Sequence, residues 1–196
     1  EGVFTGFYLN DIFKFKEYIN KNFSDNHLIL FGANTLDKNS GEYFNSLILV
    51  NNKLDVLYKY NKTKLVPFGE FLPFKKILNK FGFKKITQGY GSFSKGKNQE
   101  NLIINDLNIL PLICYEIIFP ELIQQANKET NLIINISEDG WFGNSIGPHQ
   151  HFAKAIFRSI ESNSFLARAA NKGISARITN KGEVVKKLNT NEAGSL

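Results

Sequence analysis

Leu112-Ile113-Cys114-Tyr115-Glu116-Ile117-Ile118-Phe119-Pro120-Glu121 carries the one cysteine of a 196-residue chain. The cysteine closes an apolar run, Ile109-Leu110-Pro111-Leu112-Ile113, that reads as a buried strand. A carboxylate follows two residues on. If the extended backbone continued, Cys114 and Glu116 would project to the same side. Phe119-Pro120-Glu121 then opens a helix, with proline at a tolerated early position. A thiol at a strand-to-helix junction is in a place where nucleophiles are presented. A lone cysteine on an apolar strand is more commonly a small core hydrophobe, so the rest of the chain decides between the two.

On the N-terminal side, Asn10 or Asp11 can cap a helix running to about Phe23, with Ile12, Phe15, Tyr18 and Ile19 on one face. His27 to Ala33 reads as a buried strand. Tyr43 to Val50 and Leu54 to Tyr60 read as strands of a hairpin joined by Asn51-Asn52-Lys53. A loop follows, Asn61 to Glu70, broken by Pro67 and Gly69. Pro73 to Phe83 has helical periodicity, with Phe74, Ile77, Leu78 and Phe81 on one stripe and lysines off it. That pattern suits a core-facing helix and equally a membrane surface. Asn101 to Asn105 and Leu107 to Tyr115 read as strands turning at Asn105-Asp106, and Phe119 to Lys128 as a helix. Asn131 to Ile136 is a further buried strand that feeds a Gly-rich loop, Ser137 to Pro148, and then a helix, His149 to Ser162. Three strands close the chain, at Phe165 to Ala169, Ile174 to Thr179 and about Val184 to Leu188. Strands and helices alternate with hairpins interspersed, which implies an α/β protein with a mixed sheet.

Composition narrows the function classes. Hydrophobic content of 42% and charged content of 21% are those of an ordinary folded domain of sufficient size for a core. One cysteine excludes an internal disulfide. No apolar run approaches the roughly 18 residues of a membrane-spanning helix. The formal charge of +6 is spread over interspersed lysines, and no nucleic-acid motif accompanies it. The chain has no methionine, opens on Glu1 and closes on Gly194-Ser195-Leu196, and is expected to be a domain, residues 1–196, truncated at both ends from a longer protein.

A cysteine thiol ionises near about 8.5, so attack on a carbonyl needs a base nearby. His27, His149 and His151 are the histidines, and nothing in their spacing pairs one with Cys114. His149-Gln150-His151 lacks the further ligands of a metal site, and neither a metal nor a cofactor is expected. A carboxylate is the alternative base, with a cation to stabilise the oxyanion that develops. Lys62 sits in a loop directly after a strand, where functional groups concentrate, although a lysine there is ordinarily a solvated surface group. Trp141-Phe142-Gly143 places an aromatic pair in the Gly-rich loop, where it would ordinarily plug a core.

Three segments resemble the nitrilase (carbon–nitrogen hydrolase) superfamily. They are KTKLVPFGEFLP at Lys62 to Pro73, ICYEIIFPE at Ile113 to Glu121, and NISEDGWFGNSIGPHQHF at Asn135 to Phe152. The second is shared across the superfamily. The first and third point to its acyltransferase branch, which acts on apolipoproteins at the periplasmic face of the bacterial inner membrane. The resemblance implies a four-layer αββα sandwich with mixed sheets and a Glu–Lys–Cys triad. Cys114 would be the nucleophile, forming an acyl thioester. Lys62 would hold the oxyanion together with backbone N–H groups beside Cys114, and Glu1 would be the general base. Glu70 would be a supporting acid, with Tyr115 and Glu116 shaping the nucleophile's surroundings. Trp141 and Phe142 would lie near the acyl-chain entrance. Glu138-Asp139 departs mildly from the Asn-Asp of many relatives. The implied partners are a phospholipid acyl donor, a diacylglyceryl apolipoprotein acceptor, and a membrane reached through flanking helices outside this chain.

Two other readings stay open on the sequence. One is a soluble amidase of the same superfamily with water as acceptor. The other is a non-catalytic basic domain that binds a membrane surface and tolerates loss of Cys114 and Lys62.

Overall fold

The computed structural model describes residues 8–73, 92–125 and 129–196. Glu1 lies outside these residues, as does all of the basic amphipathic stretch Pro73 to Phe83 beyond its first residue. The described residues begin with two short helices, α1 (Leu9–Ile12) and α2 (Lys16–Asn22), joined by a 3-10 turn. Three strands follow: β1 (Ile29–Leu36), β2 (Tyr43–Val50) and β3 (Val56–Asn61). Beyond the Lys62 loop come β4 (Leu102–Ile104), β5 (Leu107–Ile113), a 3-10 turn at Cys114–Ile118, and α3 (Pro120–Gln125). The remainder is β6 (Leu132–Glu138), a 3-10 turn at Asp139–Phe142, α4 (Gly147–Ser162), β7 (Phe165–Asn171), β8 (Ser175–Ile178) and β9 (Val184–Leu188).

β1, β2 and β3 form one antiparallel sheet, and β4 to β9 form a second in chain order. β5, β6 and β7 are parallel, and the flanking pairs are antiparallel, so the second sheet is mixed. The parity of the apolar residues explains the layers. Along β2, Leu47 and Leu49 pack against Ile113 and Ile109 of the other sheet. Ile48 and Val50, one residue out of phase, pack with Ile12 and Ile19 of the first helices. Along β5, Ile109 and Ile113 face the first sheet, while Leu110 and Leu112 face α3 and α4 through Leu122 and Ala155. A strand covered on both faces needs apolar residues at consecutive positions, which is why these segments read as unbroken hydrophobic runs. Each fully buried Leu or Ile contributes roughly 1.5–3 kcal/mol. The result is the αββα sandwich.

Pro111 sits inside β5 without breaking it. Its carbonyl accepts from Gln99 Nε2 at 2.8 Å, on the edge that β4 has already left after pairing Leu107–Ile109. The missing N–H faces that same edge, so the parallel ladder to β6 loses no bond.

Three local expectations are corrected. The first helix is capped from Tyr8, not Asn10 or Asp11. Asp11 sits one turn in and its carboxylate accepts the Tyr8 N–H at 3.0 Å, while Phe15 and Tyr18 face solvent. The β2–β3 connection is longer than Asn51-Asn52-Lys53, because Asn51 Oδ1 accepts both the Lys53 and Asp55 N–H groups and Leu54 takes a left-handed φ of 64°. The third correction concerns Cys114 itself.

Candidate active site

Extended backbone ends at Ile113. Cys114 has φ 49° and opens the 3-10 turn, so it and Glu116 do not share a strand face as expected. A left-handed conformation costs a non-glycine residue on the order of 1 kcal/mol and persists only where surrounding contacts impose it. Here those contacts come from both sides of the residue.

The first is Glu116, which turns beneath the backbone and is wholly buried. Its Oε2 accepts the Ile113 N–H at 2.8 Å. Its Oε1 accepts the Thr63 N–H at 2.7 Å, the Thr63 hydroxyl at 2.9 Å, the Lys64 N–H at 3.1 Å and the Tyr60 hydroxyl at 2.8 Å. One carboxylate thus ties the residue before Cys114 to the residues after Lys62. Burial pushes the Glu116 pKa above the ordinary carboxylate range, against the pull of the Ile113 N–H, the Lys62 charge and the Tyr60 hydroxyl. The same burial pushes the Tyr60 hydroxyl far above its usual range.

Lys62 follows β3 directly and is only 1% exposed. A buried ammonium requires a counter-charge. Lys62 Nζ donates to Glu70 Oε1 at 2.8 Å, and Asn45 Nδ2 donates to the same oxygen at 2.8 Å. Glu70 Oε2 accepts the Val66 N–H at 2.8 Å, which closes the Pro67–Gly69 turn over the pair. The structure therefore brings Cys114, Lys62, Glu70 and Glu116 into one neighbourhood. Tyr115 is half-buried and meets Phe119 edge to face, with ring centres 5.1 Å apart. Lys64 pairs with Glu121 at 2.9 Å on the outer side of the same turn.

The second contact on Cys114 went unrecognised in the sequence. His151, the fifth residue of α4, is buried and its Nε2 stands 3.2 Å from the Cys114 carbonyl oxygen. A carbonyl only accepts, so Nε2 is the donor in this contact. His151 Nδ1 lies 2.9 Å from Asp139 Oδ1. Asp139 also accepts from Ser137 Oγ at 2.7 Å and from Arg168 Nη2 at 2.7 Å. Arg168 Nη1 reaches Asn135 Oδ1, and Asn135 Nδ2 donates to the Leu112 carbonyl at 3.0 Å. The chain of contacts leaves the backbone at Leu112 and returns to it at Cys114. Burial alone would raise the Asp139 pKa, but the hydrogen bond with His151 and the Arg168 charge outweigh it and bring it down to about 2. A charged residue in the otherwise apolar run Phe165 to Ala169 was the available signal for this network, since unpaired Arg is almost never fully buried.

Trp141 is 67% exposed and Phe142 39%, so the pair does not plug the core. Phe142 rests edge-on against His151, with ring centres 5.5 Å apart. Gly147 makes room for that ring, since a Cβ there would stand 2.5 Å from it. Cys114 Sγ lies 4.0 Å from the Glu138 carbonyl. Among the described residues, no group of three or more His, Cys, Asp or Glu side chains is placed to hold a metal ion. No helix of the described residues is long and apolar enough to cross a membrane. A thiol at a strained turn, a buried lysine and adjoining carboxylates have the composition for covalent acyl chemistry.

A family model described as carbon–nitrogen hydrolase matches residues 21–196, and the chain belongs to that family. Within it, the chain is similar to proteins named apolipoprotein N-acyltransferase. The protein of that name from Rhizobium leguminosarum bv. trifolii is 37% identical over 175 residues, covering 87% of this chain and 33% of the relative. That from Rickettsia typhi is 40% identical over 180 residues, covering 90% of this chain and 36% of the relative. The chain thus spans about a third of the length of these curated relatives. Among solved structures, a nitrilase-superfamily protein of Saccharomyces cerevisiae superposes with a TM-score of 0.66 at 16% identity, covering 92% of this chain and 62% of its own. An amidase from Nesterenkonia sp. AN1, with acrylamide added at its active-site cysteine, gives 0.63 at 16% identity, covering 95% and 68%. These two show the sandwich fold.

Proposed function

We propose that this chain is the catalytic domain of a membrane-anchored N-acyltransferase that moves an acyl chain from a phospholipid to the N-terminal amine of a diacylglyceryl apolipoprotein. The observation that carries the reading is the Glu116 tie, which fixes the Lys62 loop against the strained Cys114 turn. Similarity at 37% and 40% identity to proteins named for that activity supports it.

In the first half-reaction the Cys114 thiolate attacks the ester carbonyl of the phospholipid. An Sγ–C bond forms, the ester C–O bond breaks, and the thiol proton reaches the departing lysophospholipid alkoxide through the general base. The resemblance gives that base role to Glu1. Lys62 stabilises the oxyanion of the tetrahedral intermediate, with Glu70 holding the ammonium in place. In the second half-reaction the amine attacks the thioester, the C–S bond breaks, and the amine proton returns to the thiolate. Excluding water from the site favours amine over hydrolysis. Trp141 and Phe142 line the acyl-chain entrance. The membrane helices lie in flanking segments, and the domain faces the periplasm of the bacterial inner membrane. No cofactor takes part, and no nucleic acid is a partner.

Intact-mass analysis of the full-length protein in detergent, incubated with phosphatidylethanolamine and no acceptor, tests this. One added acyl chain, absent from Cys114→Ala and removed by hydroxylamine, supports the thioester. Ammonia release from simple amides without an adduct moves the protein to the amidase reading. Full function in Cys114→Ala and Lys62→Ala establishes the non-catalytic one.

A further inference from the structure

The Cys114 carbonyl points out of the turn into a pocket of fixed charge. Its acceptor lone pairs meet His151 Nε2 at 3.2 Å, and the ring is locked on its other side by Asp139 at 2.9 Å. Asp139 is held by Arg168 and Ser137, and Arg168 is held by Asn135 and by the Ile174 carbonyl at 3.2 Å. Every one of these side chains is buried. Gly173 packs so closely on Asp139 that a Cβ would stand 2.1 Å from Oδ2. The imidazole therefore has one available orientation, and its donor is aimed at a single backbone atom.

The peptide that joins Cys114 to Tyr115 is planar and trans, so its N–H runs opposite to its carbonyl. Fixing the Cys114 carbonyl fixes the direction of the Tyr115 N–H. Tyr115 is the second residue of the 3-10 turn, where backbone N–H groups have no acceptor inside the helix. Such a donor beside a nucleophile meets the oxygen that becomes anionic when a carbonyl is attacked.

We propose that His151, backed by Asp139 and Arg168, is a positioning residue that orients the Tyr115 N–H toward the developing oxyanion by holding the Cys114 carbonyl. The inference rests on the acyl-transfer reading of Cys114.

Two reactions of the same thiol separate this role from a structural one. Acylation by p-nitrophenyl butyrate forms the Sγ–C bond, breaks the ester C–O bond with loss of p-nitrophenolate, and passes through an oxyanion. Alkylation by iodoacetamide displaces iodide at a saturated carbon and forms none. Both rates are measured on full-length protein in detergent, with Cys114→Ala as blank. His151→Leu is expected to slow acylation by about 10- to 100-fold, part of the loss that follows removal of an oxyanion donor, with the alkylation rate unchanged. His151→Gln, which presents an N–H at the Nε2 position, is expected to recover most of the acylation rate, and His151→Asn, which does not, is not. Unchanged acylation in His151→Leu overturns the proposal, as does a parallel fall in both rates. If His151→Leu does not fold, equal acylation in the Gln and Asn variants overturns it. Wild-type protein that alkylates but takes no acyl group overturns the acyl-transfer reading itself, whatever the His151 variants do.

Discussion

The Glu116 carboxylate accepts the Thr63 N–H at 2.7 Å across 53 residues of sequence, and with its other oxygen it accepts the Ile113 N–H at 2.8 Å. The loop that carries Lys62 and the turn that carries Cys114 are thus registered by one buried group. Glu116→Gln is nearly isosteric, yet either orientation of the amide sets an NH2 against a backbone N–H. The expected cost is about 3 kcal/mol, seen as a lowered Tm in a thermal scan of the full-length protein. An unchanged Tm would mean that the tie does not hold the site together.

Lys62 is fully buried and paired with Glu70, so its charge is maintained without solvent. Lys62→Met is expected to lower kcat by about 10²- to 10³-fold, the range for loss of an oxyanion donor. Lys62→Arg is expected not to restore it, because a planar guanidinium cannot take the place of a compact ammonium. Glu70→Gln can keep an acceptor on Lys62 Nζ only by turning its NH2 against the Val66 N–H, and it removes the counter-charge; it is expected to lower kcat by less than Lys62→Met, because the ammonium itself remains. Steady-state transfer assays that rank these variants otherwise would refute the assignment.

Asp139 ties pH to stability. Its folded pKa of about 2 lies below the ordinary aspartate value of 3.8, so between the two the unfolded chain binds more protons. The contribution is fully present above about pH 4 and is lost as pH falls to about 2, amounting to roughly 2 kcal/mol. Thermal scans from pH 5 downward are expected to show wild type losing its advantage over Asp139→Asn in that window. A constant difference between the two proteins would contradict the buried pairing.

Cys114 holds φ 49°. Cys114→Gly removes the side chain and the strain together, while Cys114→Ala removes the thiol and keeps a Cβ. Although glycine loosens the unfolded chain, relief of the left-handed conformation is expected to leave Cys114→Gly about as stable as Cys114→Ala or up to about 1 kcal/mol more stable. Both variants are expected to be inactive in acyl transfer. A Cys114→Gly protein melting well below Cys114→Ala would show that the turn is not strained.

Much of the sheet framework was legible because its signals are local. Tyr43–Val50 and Val184–Leu188 are strands at the expected bounds, and Asn105 turns the β4–β5 hairpin at a left-handed φ of 50°. Pro120 starts α3 as its ring geometry favours. The first helix was misjudged where a side chain, Asp11, bonds back to the backbone of Tyr8, a competition that periodicity does not register.

The site divides along the same line. Apolar parity, turn residues and three spaced motifs determined the α/β class and singled out Lys62, Glu70, Cys114 and Glu116, because each motif is contiguous in the chain. Only the tertiary structure decided where those side chains go. It turned Glu116 inward as a clamp, buried Lys62 on Glu70, and exposed Trp141. It also brought His151, Asp139, Arg168 and Asn135 together from two strands, a 3-10 turn and a helix behind Cys114. The physical reason is that a buried charge is defined by its partners, and here those partners lie on separate elements that meet only when the parallel strands pair.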